Sequence, residues 1–356
     1  MFDIKKHIDK DEAKTIRHNL YKRLAPFRKA DNRKAIWQLV NTMIPYMALW
    51  AIMIAILNNG YPYWVIIPIS LVASLFLVRN FIFFHDCCHG SFFTSSWANK
   101  IVGYITGILV FTPYNDWRNA HWRHHATAGN LDKRGTGDIW TITVEEYLAS
   151  TWFKRFAYRA IRNPLIFVVV GPVYIFIIEH RFWDKSYKKF DRLSIIITNI
   201  AILLMIGVAH FTIGIITFLV IQLSVLLVAG ALGIWLFYVQ HQFDDVYWAR
   251  SAEWDPLQAS LAGSSYYKLP KILQWFSGSI GLHHIHHFDP LIPNYALQRC
   301  YDHFPIFQTV EPITIRSSLA SLSVNLIDEK HQRMLSFRAL RQVRSRQRVG
   351  RIVTTE

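Results

Sequence analysis

The sequence has few charged residues and few cysteines. Only 18% of its 356 residues are Asp, Glu, Lys or Arg, against roughly 25% in soluble domains. Hydrophobic residues make up 52% of the chain and are concentrated in long uninterrupted runs, which is typical of membrane proteins. Three cysteines, two of them adjacent at Cys87 and Cys88, provide no disulfide framework and indicate a reducing compartment. The first apolar run begins near residue 36, behind a charged stretch, so we expect no cleavable signal peptide.

Several motifs of soluble enzymes are also missing. The sequence contains no Gly-x-Gly-x-x-Gly and no phosphate loop, so any reductant must come from elsewhere. It contains no His-Glu-x-x-His, which argues against a zinc protease. It has no Glu-x-x-His pair, which argues against a carboxylate-bridged di-iron bundle. The formal net charge is +15, but the basic segments lie close to apolar runs, so an anionic lipid leaflet is the expected partner rather than nucleic acid.

Long apolar runs predict four membrane spans. They cover residues 36–57, 64–84, 193–209 and 212–239. The turns that connect each pair of spans, at 58–62 and around His210, carry no Lys or Arg, while the outer flanks are basic, so the turns should face outside. Two shorter apolar pieces, 101–111 and 164–178, cannot cross about 30 Å of hydrocarbon as helices. We expect them to be interfacial or re-entrant.

These spans divide the chain into four regions. They are a cytoplasmic N-terminal arm (1–35), a transmembrane region with interfacial helices (36–241), a cytoplasmic cap (242–330) and a basic C-terminal tail (331–356). The predicted fold is all-α, an integral membrane protein with four transmembrane helices and a helical cap. We expect the arm to be amphipathic or loosely ordered, and the tail to contact the leaflet or to be disordered.

Three clusters of histidines are the most informative feature of the sequence. They are His85-Asp-Cys-Cys-His89, His121-Trp-Arg-His124-His125 and His283-His284-Ile-His286-His287. Spacings of three and four residues put imidazoles on one face of a helix. With four spans, all three clusters and His241, which follows the last span, fall on the same cytoplasmic side. So many imidazoles exceed what one ion could use, and neutral nitrogen ligands in this number suit iron. The pattern predicts two metals at a membrane surface.

The three clusters resemble the histidine boxes of membrane fatty acid desaturases. Residues 85–93 look like the first box, 121–125 match the second and 283–287 match the third, while 131–147 are similar to bacterial acyl-lipid desaturases of the delta-12 (omega-6) type. The resemblance covers nearly the whole chain outside its two arms. It implies that a non-haem di-iron centre is bound by His85, His89, His121, His124, His125, His283, His286 and His287. It further implies a ligand just past the last span, a place that His241 occupies here.

The resemblance also implies a reaction, the oxygen-dependent introduction of a cis double bond into an acyl chain. An unactivated C–H bond requires an oxidant rather than an acid or a base. The first box has three residues between its histidines, where animal acyl-CoA desaturases usually have four, which favours acyl chains of membrane lipids. The sequence has no His-Pro-Gly-Gly signature of a fused haem domain, so a separate ferredoxin-like or flavodoxin-like donor is expected. The basic surface suits an acidic donor, and the expected location is the inner membrane, with the site on its cytoplasmic side.

Two other functions remain open from the sequence. A hydroxylase or related oxygenase of the same superfamily, acting on lipid or hydrocarbon, shares the boxes. A metal transporter would place its polar ligands near the bilayer midplane, whereas these clusters lie beyond the ends of the spans.

Individual residues near the clusters also have more than one interpretation. Asp86, Asp138 and Asp244 are candidates to accept hydrogen bonds from ligand imidazoles, or ordinary caps and surface acids. His284 either substitutes for a ligand, orients a neighbour or has no role at the metals. His210, in a predicted external turn, is expected to have a structural role. The remaining histidines are expected at the surface, and they are His7, His18, His180, His303 and His331.

Overall fold

Helices dominate the computed structural model, which describes residues 9–135 and 137–342. The helices are α1 (Lys10–Leu24), α2 (Asn32–Asn58), α3 (Ile67–His89), α4 (Ser96–Leu109), α5 (Tyr114–Thr127), α6 (Val144–Ala149), α7 (Trp152–Ile161), α8 (Lys189–Thr212), α9 (Ile215–His241), α10 (Pro256–Leu261), α11 (Lys271–Phe276), α12 (His283–Phe288), α13 (Asn294–His303) and α14 (Ile315–Ser318). The strands are β1 (Ile142–Thr143), β2 (Tyr266–Lys268), β3 (Pro312–Thr314), β4 (Leu326–Asp328) and β5 (Arg333–Leu335).

Four helices are long and apolar enough to cross a membrane, which confirms the predicted fold class. They are α2, α3 together with the 3₁₀ turn at Tyr63–Ile66, α8 and α9. Helix α9 has 27 residues and is about 40 Å long at 1.5 Å per residue, more than the roughly 30 Å of hydrocarbon. Helix α9 is therefore longer than the apolar layer is thick, and α3 likewise continues past its apolar part to His89.

Helix α3 lies at the centre of the bundle and packs against α2, α4 and α9. Its inner face contributes Leu77 and Val78 to a buried core that also contains Ile221 and Val225 of α9. The outer faces of the spans remain apolar, as shown by Leu203 of α8, which is 67% exposed in the isolated chain. Apolar side chains on both faces are expected where the solvent is lipid.

The shorter apolar pieces adopt two different structures. Residues 101–111 fall largely within α4. The N-cap residue of this helix is Ser95, and its side chain accepts a hydrogen bond from the Ala98 N–H. Helix α4 packs tightly on α3, since a Cβ at Gly107 would lie 2.8 Å from the Phe84 ring. Residues 164–178 instead form π-helical turns on both sides of Gly171 and Pro172, and this segment bends by 69° from α7. Neither piece forms a straight span.

The described parts of the arm and of the tail are more ordered than the sequence suggested. Within the described part of the arm, α1 buries Ala13, Leu20 and Leu24 in a core shared with α10 and α12. The amphipathic interpretation of this segment therefore holds and the loosely ordered one does not. The first residues of the basic tail form β5, which pairs with β4. Residues 1–8 and 343–356 lie outside the described part of the chain.

Short strands form two small sheets. One sheet has the order β1-β4-β5, with β1 parallel and β5 antiparallel to β4, and the other pairs β2 with β3 in parallel. These strands were not predicted, because two or three residues are too few to show a period-two pattern. The pairing of β1 with β4 connects the segment after the second histidine cluster with the end of the cap.

Candidate metal centre

The structure brings nine imidazoles together in two groups. The first group contains His85, His89, His121, His125 and His286, and the second contains His124, His241, His283 and His287. Within each group the candidate ligand atoms all lie within 4.8 Å of one another. All nine histidines that the sequence nominated are therefore close together, although His85 and His287 are 202 positions apart in the chain.

The pitch of the helices explains how two adjacent histidines reach different groups. Successive residues of an α-helix are rotated by about 100° around its axis. In α5 this rotation directs His124 to the second group and His125 to the first, and in α12 it separates His287 from His286 in the same way. Helices α5 and α12 thus supply both groups. The end of α3 supplies only the first group, and His241 at the end of α9 supplies only the second.

Helices α3 and α5 each end close to a histidine cluster. Helix α3 stops at Gly90, whose φ of +73° is a left-handed conformation that glycine adopts easily. Its last turn therefore presents His85 and His89, which are four residues apart and have ring centroids 4.8 Å apart. Helix α5 stops after Thr127, two residues beyond the second cluster.

Ring nitrogens of different histidines face each other at short distances. The Nε2–Nε2 distances are 3.0 Å for His85–His286, 3.1 Å for His121–His125, 3.1 Å for His124–His241, 3.3 Å for His124–His287 and 3.0 Å for His241–His283. A single proton can satisfy only one such pair, and His124 and His241 each belong to two pairs.

Hydrogen-bond acceptors on the far side of the rings determine where the protons lie. The Nδ1 atom of His124 is 2.6 Å from Asp138 Oδ1, and that of His85 is 3.0 Å from Asp86 Oδ1. These carboxylates require a proton on Nδ1, which leaves a lone pair on Nε2. Lone pairs directed at one another across about 3 Å repel unless a cation lies between them. The donor set therefore fits bound metal ions.

His89 leads to the same conclusion. It is 4% exposed, and neither of its ring nitrogens has a hydrogen-bond partner in the described part of the protein. A buried polar atom without a partner costs about 1–3 kcal/mol. A metal ion in the first group would satisfy one of these nitrogens.

The electrostatics of the groups favour the neutral form of the imidazoles that metals bind. Burial lowers the pKa values of His121, His125, His283, His286 and His287 well below the ordinary value, and neighbouring imidazoles act in the same direction. These rings are therefore unprotonated near neutral pH. A neutral imidazole has a free lone pair, which is what coordination requires.

Other candidate residues lie apart from the two groups. His284 is fully buried, and its Nε2 lies 3.1 Å from the Phe307 carbonyl oxygen, an environment that lowers its pKa to about 4, chiefly through burial. Asp244 accepts from the Asp245 N–H and does not contact an imidazole. His180 is only partly exposed, with a buried Nδ1. The exposed histidines are His18, His210, His303 and His331, while His7 lies outside the described residues.

Three residues that support the site were not nominated from the sequence. Asn294 donates to Asp86 Oδ2 from both its backbone N–H (2.7 Å) and its side chain (2.9 Å). The carbonyl oxygen of Gly263 lies 3.4 Å from His241 Nδ1. The indole of Trp117 stacks on His121 with centroids 4.3 Å apart. Asn294 and Gly263 lie outside any recognisable motif, and only the fold brings them to the site. Trp117 lies one helical turn before His121 in α5, and this i,i+4 spacing is the signal that could have found it.

Comparisons with known proteins agree with this geometry. A family model described as "Fatty acid desaturase" matches residues 61–311. A protein of Bacillus subtilis named "Fatty acid desaturase" is 42% identical over 332 residues, covering 92% of this chain and 94% of that protein. An "sn-1 oleoyl-lipid 12-desaturase" of Synechocystis sp. is 27% identical over 257 residues, covering 71% of this chain and 72% of its own. An "sn-1 acyl-lipid omega-3 desaturase (ferredoxin)" of Synechocystis sp. is 26% identical over 250 residues, covering 67% and 66%.

Proposed function

The chain belongs to the fatty acid desaturase family and is an oxidoreductase, and we propose that it desaturates acyl chains of membrane lipids with two irons held by nine histidines. The observation that carries this proposal is the division of the imidazoles into two adjacent groups. The same two helices, α5 and α12, contribute histidines to both groups. Two ions bound in this way would be held close together and at a fixed separation.

The proposed ligands divide between the two metals as the groups do. His85, His89, His121, His125 and His286 would hold one iron, and His124, His241, His283 and His287 would hold the other. Iron bound by these residues would supply the oxidising power, drawn from O2, that removal of hydrogen from an unactivated methylene requires. Asp86 and Asp138 keep the Nδ1 atoms of their imidazoles protonated and orient the rings. Burial of the groups excludes water from the site.

The proposed reaction needs an external source of electrons. Two hydrogens from the acyl chain, two further electrons and two protons together convert one O2 into two waters. The sequence has no dinucleotide fingerprint, so a separate ferredoxin-like or flavodoxin-like protein is proposed as the donor. A relative whose name includes "ferredoxin" supports this choice.

The position of the groups supports the proposed substrate and location. His85 and His89 lie at the end of α3 and His241 at the end of α9, where apolar spans give way to polar segments. An acyl chain of a lipid in the same leaflet would reach such a site laterally, and relatives named as acyl-lipid desaturases support a lipid-linked substrate. The basic segments beside the spans favour the inner membrane, with the site on its cytoplasmic side.

Substitution of His124 tests the proposal, because this residue belongs to the second group and contacts two other imidazoles. We expect His124→Ala to lower the bound iron and to abolish double-bond formation in an expressing host, measured by gas chromatography and mass spectrometry of its lipids. The matched control is His210→Ala, an exposed histidine at the end of α8, which should retain iron and activity. Full activity in His124→Ala would contradict the proposal, and hydroxylated chains from the unmodified protein would indicate an oxygenase.

A further inference from the structure

One exposed aromatic side chain touches the metal centre from outside. Among the described residues, three aromatic side chains other than histidine have ring contacts with the nine imidazoles, and they are Trp117, Trp122 and Phe237. Trp117 and Phe237 are only partly exposed, whereas Trp122 is 36% exposed. The Trp122 ring lies 5.0 Å from His89 and 6.4 Å from His125, measured between centroids. Trp122 therefore joins the surface to the first group.

The indole of Trp122 is held in place by the end of α3. Its Nε1 donates to the Cys88 carbonyl oxygen at 3.3 Å, and Nε of Arg118, one turn earlier on α5, donates to the same oxygen at 2.9 Å. Residues four apart share a face of a helix. Arg118 and Trp122 thus form one surface that lies directly over the residue preceding His89.

A cavity of about 370 Å³ opens beside this indole, between α5 and the start of α8. Arg123 and Lys188 line it and are exposed, while Asp191 at its base is buried and accepts from Asn119 at 2.6 Å. Asp116, also in the lining, is only partly exposed. Among the charged residues that line the cavity, the exposed ones are therefore the cations Arg123 and Lys188, and we call Arg118, Trp122, Arg123 and Lys188 the Trp122 face.

We propose that the Trp122 face is the docking site for an acidic one-electron carrier protein and that Trp122 is the surface contact through which its electrons reach the metal beside His89. This inference rests on the proposed function. In each transfer one electron leaves the reduced iron–sulfur cluster of the carrier and arrives at the metal, and no bond forms or breaks. Two transfers supply the two electrons that the desaturation consumes.

Charge and distance both favour a carrier protein here over the lipid surface. Electron-transfer rates fall steeply with distance, and an indole in contact with His89 shortens the path from the exterior. Electron-transfer complexes are small and transient, so a modest patch is sufficient. Exposed cations around an aromatic contact steer an acidic partner and orient it. A lipid contact would need the cations but would have no use for the contact with His89.

The test uses the full-length protein in nanodiscs with a reduced plant-type [2Fe–2S] ferredoxin as the probe. The double variant Arg123→Glu/Lys188→Glu should weaken ferredoxin binding by about tenfold or more and flatten its salt dependence. The matched control, Lys268→Glu/Lys330→Glu, makes the same charge change at exposed residues outside the Trp122 face and should bind as the unmodified protein does. Trp122→Ala and the milder Trp122→Phe are compared at equal iron content by stopped-flow oxidation of ferredoxin.

Trp122→Ala should slow reduction by ferredoxin but not reduction by dithionite, a small reductant that needs no docking site, and Trp122→Phe should be less impaired. The docking proposal is overturned if the two charge variants bind ferredoxin equally well, or if the Arg123/Lys188 variant instead loses only co-purifying phosphatidylglycerol. The Trp122 contact is overturned if Trp122→Ala is reduced by ferredoxin at the unmodified rate. Failure of the proposed function would look different, since the unmodified protein would then hold no reducible iron while its ferredoxin binding could still be measured.

Discussion

Carboxylates on the outer side of the imidazoles determine what the histidines can bind. Asp86 accepts from His85 through Oδ1 and from Asn294 through Oδ2, so both of its oxygens are used. Asp138 makes the shorter contact, 2.6 Å, with His124. Charge-assisted hydrogen bonds of this kind fix both the tautomer and the ring orientation. The Nε2 lone pairs are thereby aimed before any metal arrives.

This arrangement predicts the effect of Asp138→Asn. The amide can still accept from His124 Nδ1, but the hydrogen bond loses its charge and the imidazole becomes a weaker ligand. We expect iron affinity to fall by about tenfold to a hundredfold, with a parallel loss of activity at limiting iron. Iron titration of the purified protein measures the change. Asp244→Asn is the matched control, because that carboxylate lies away from the imidazoles, and an equal loss in both variants would contradict the role of Asp138.

For individual residues, the sequence predicts site residues that belong to a motif and misses those that do not. The nine histidines were nominated from three clusters, a family resemblance and the end of the last span, and the structure brings all nine together. Of the three nominated carboxylates, Asp86 and Asp138 contact imidazoles and Asp244 does not. Asn294 lies 208 positions from Asp86, and no spacing along the chain could indicate that contact.

Among the helices, α1 has the least expected role. It packs on the core beneath α12, and the turn that follows it carries Arg28, whose Nε lies 2.5 Å from Asp289 Oδ2. The Asp289 side chain is 1% exposed, and Asp289 lies two residues after His287, the last residue of the third histidine cluster. Burial raises the pKa of Asp289, and the Arg28 guanidinium opposes that shift. The N-terminal arm thus stabilises the segment that supplies ligands to both groups.

Loss of this ion pair should therefore affect the metals. Arg28→Met leaves the Asp289 carboxylate buried without its cation, at a cost of about 3 kcal/mol. We expect a lower thermal unfolding temperature and less bound iron in both groups, measured by calorimetry and elemental analysis. Lys34→Met is the matched control, since Lys34 and Asp31 are exposed and 4.0 Å apart and such surface pairs contribute at most about 1 kcal/mol. Equal behaviour of the two variants would show that the arm does not support the site.

The long helices could be predicted from the sequence, and the short strands could not. The four long apolar runs were located to within several residues of the observed helices, because about twenty apolar residues leave few alternatives in a bilayer. The strands β1 to β5 have two or three residues each and show no pattern. The order of α1 was not fixed by the sequence, because its Lys-rich surface hides a narrow apolar face of Ala13, Leu20 and Leu24.

In the whole molecule, the ends of the spans determine where the metal-binding histidines lie. The last turns of α3 carry His85 and His89, and the last residue of α9 is His241. Helices α5 and α12 bring the other six histidines to these ends. A shared site requires each pair of spans to return the chain to the same face of the membrane. The topology of the spans is therefore a requirement of the proposed chemistry.

Cysteine labelling tests that topology directly. The three native cysteines are all buried, so the unmodified chain should react little with a membrane-impermeant maleimide. Cysteines placed at Asn59 and His210, which lie exposed at the far ends of the span pairs, should be labelled in intact cells. Lys330→Cys, exposed between β4 and β5 in the cap, should be labelled only after the membrane is opened. Because α12 and the cap lie on the same side as His85 and His241, labelling of Lys330→Cys in intact cells would put the metal centre outside, away from any cytoplasmic electron carrier.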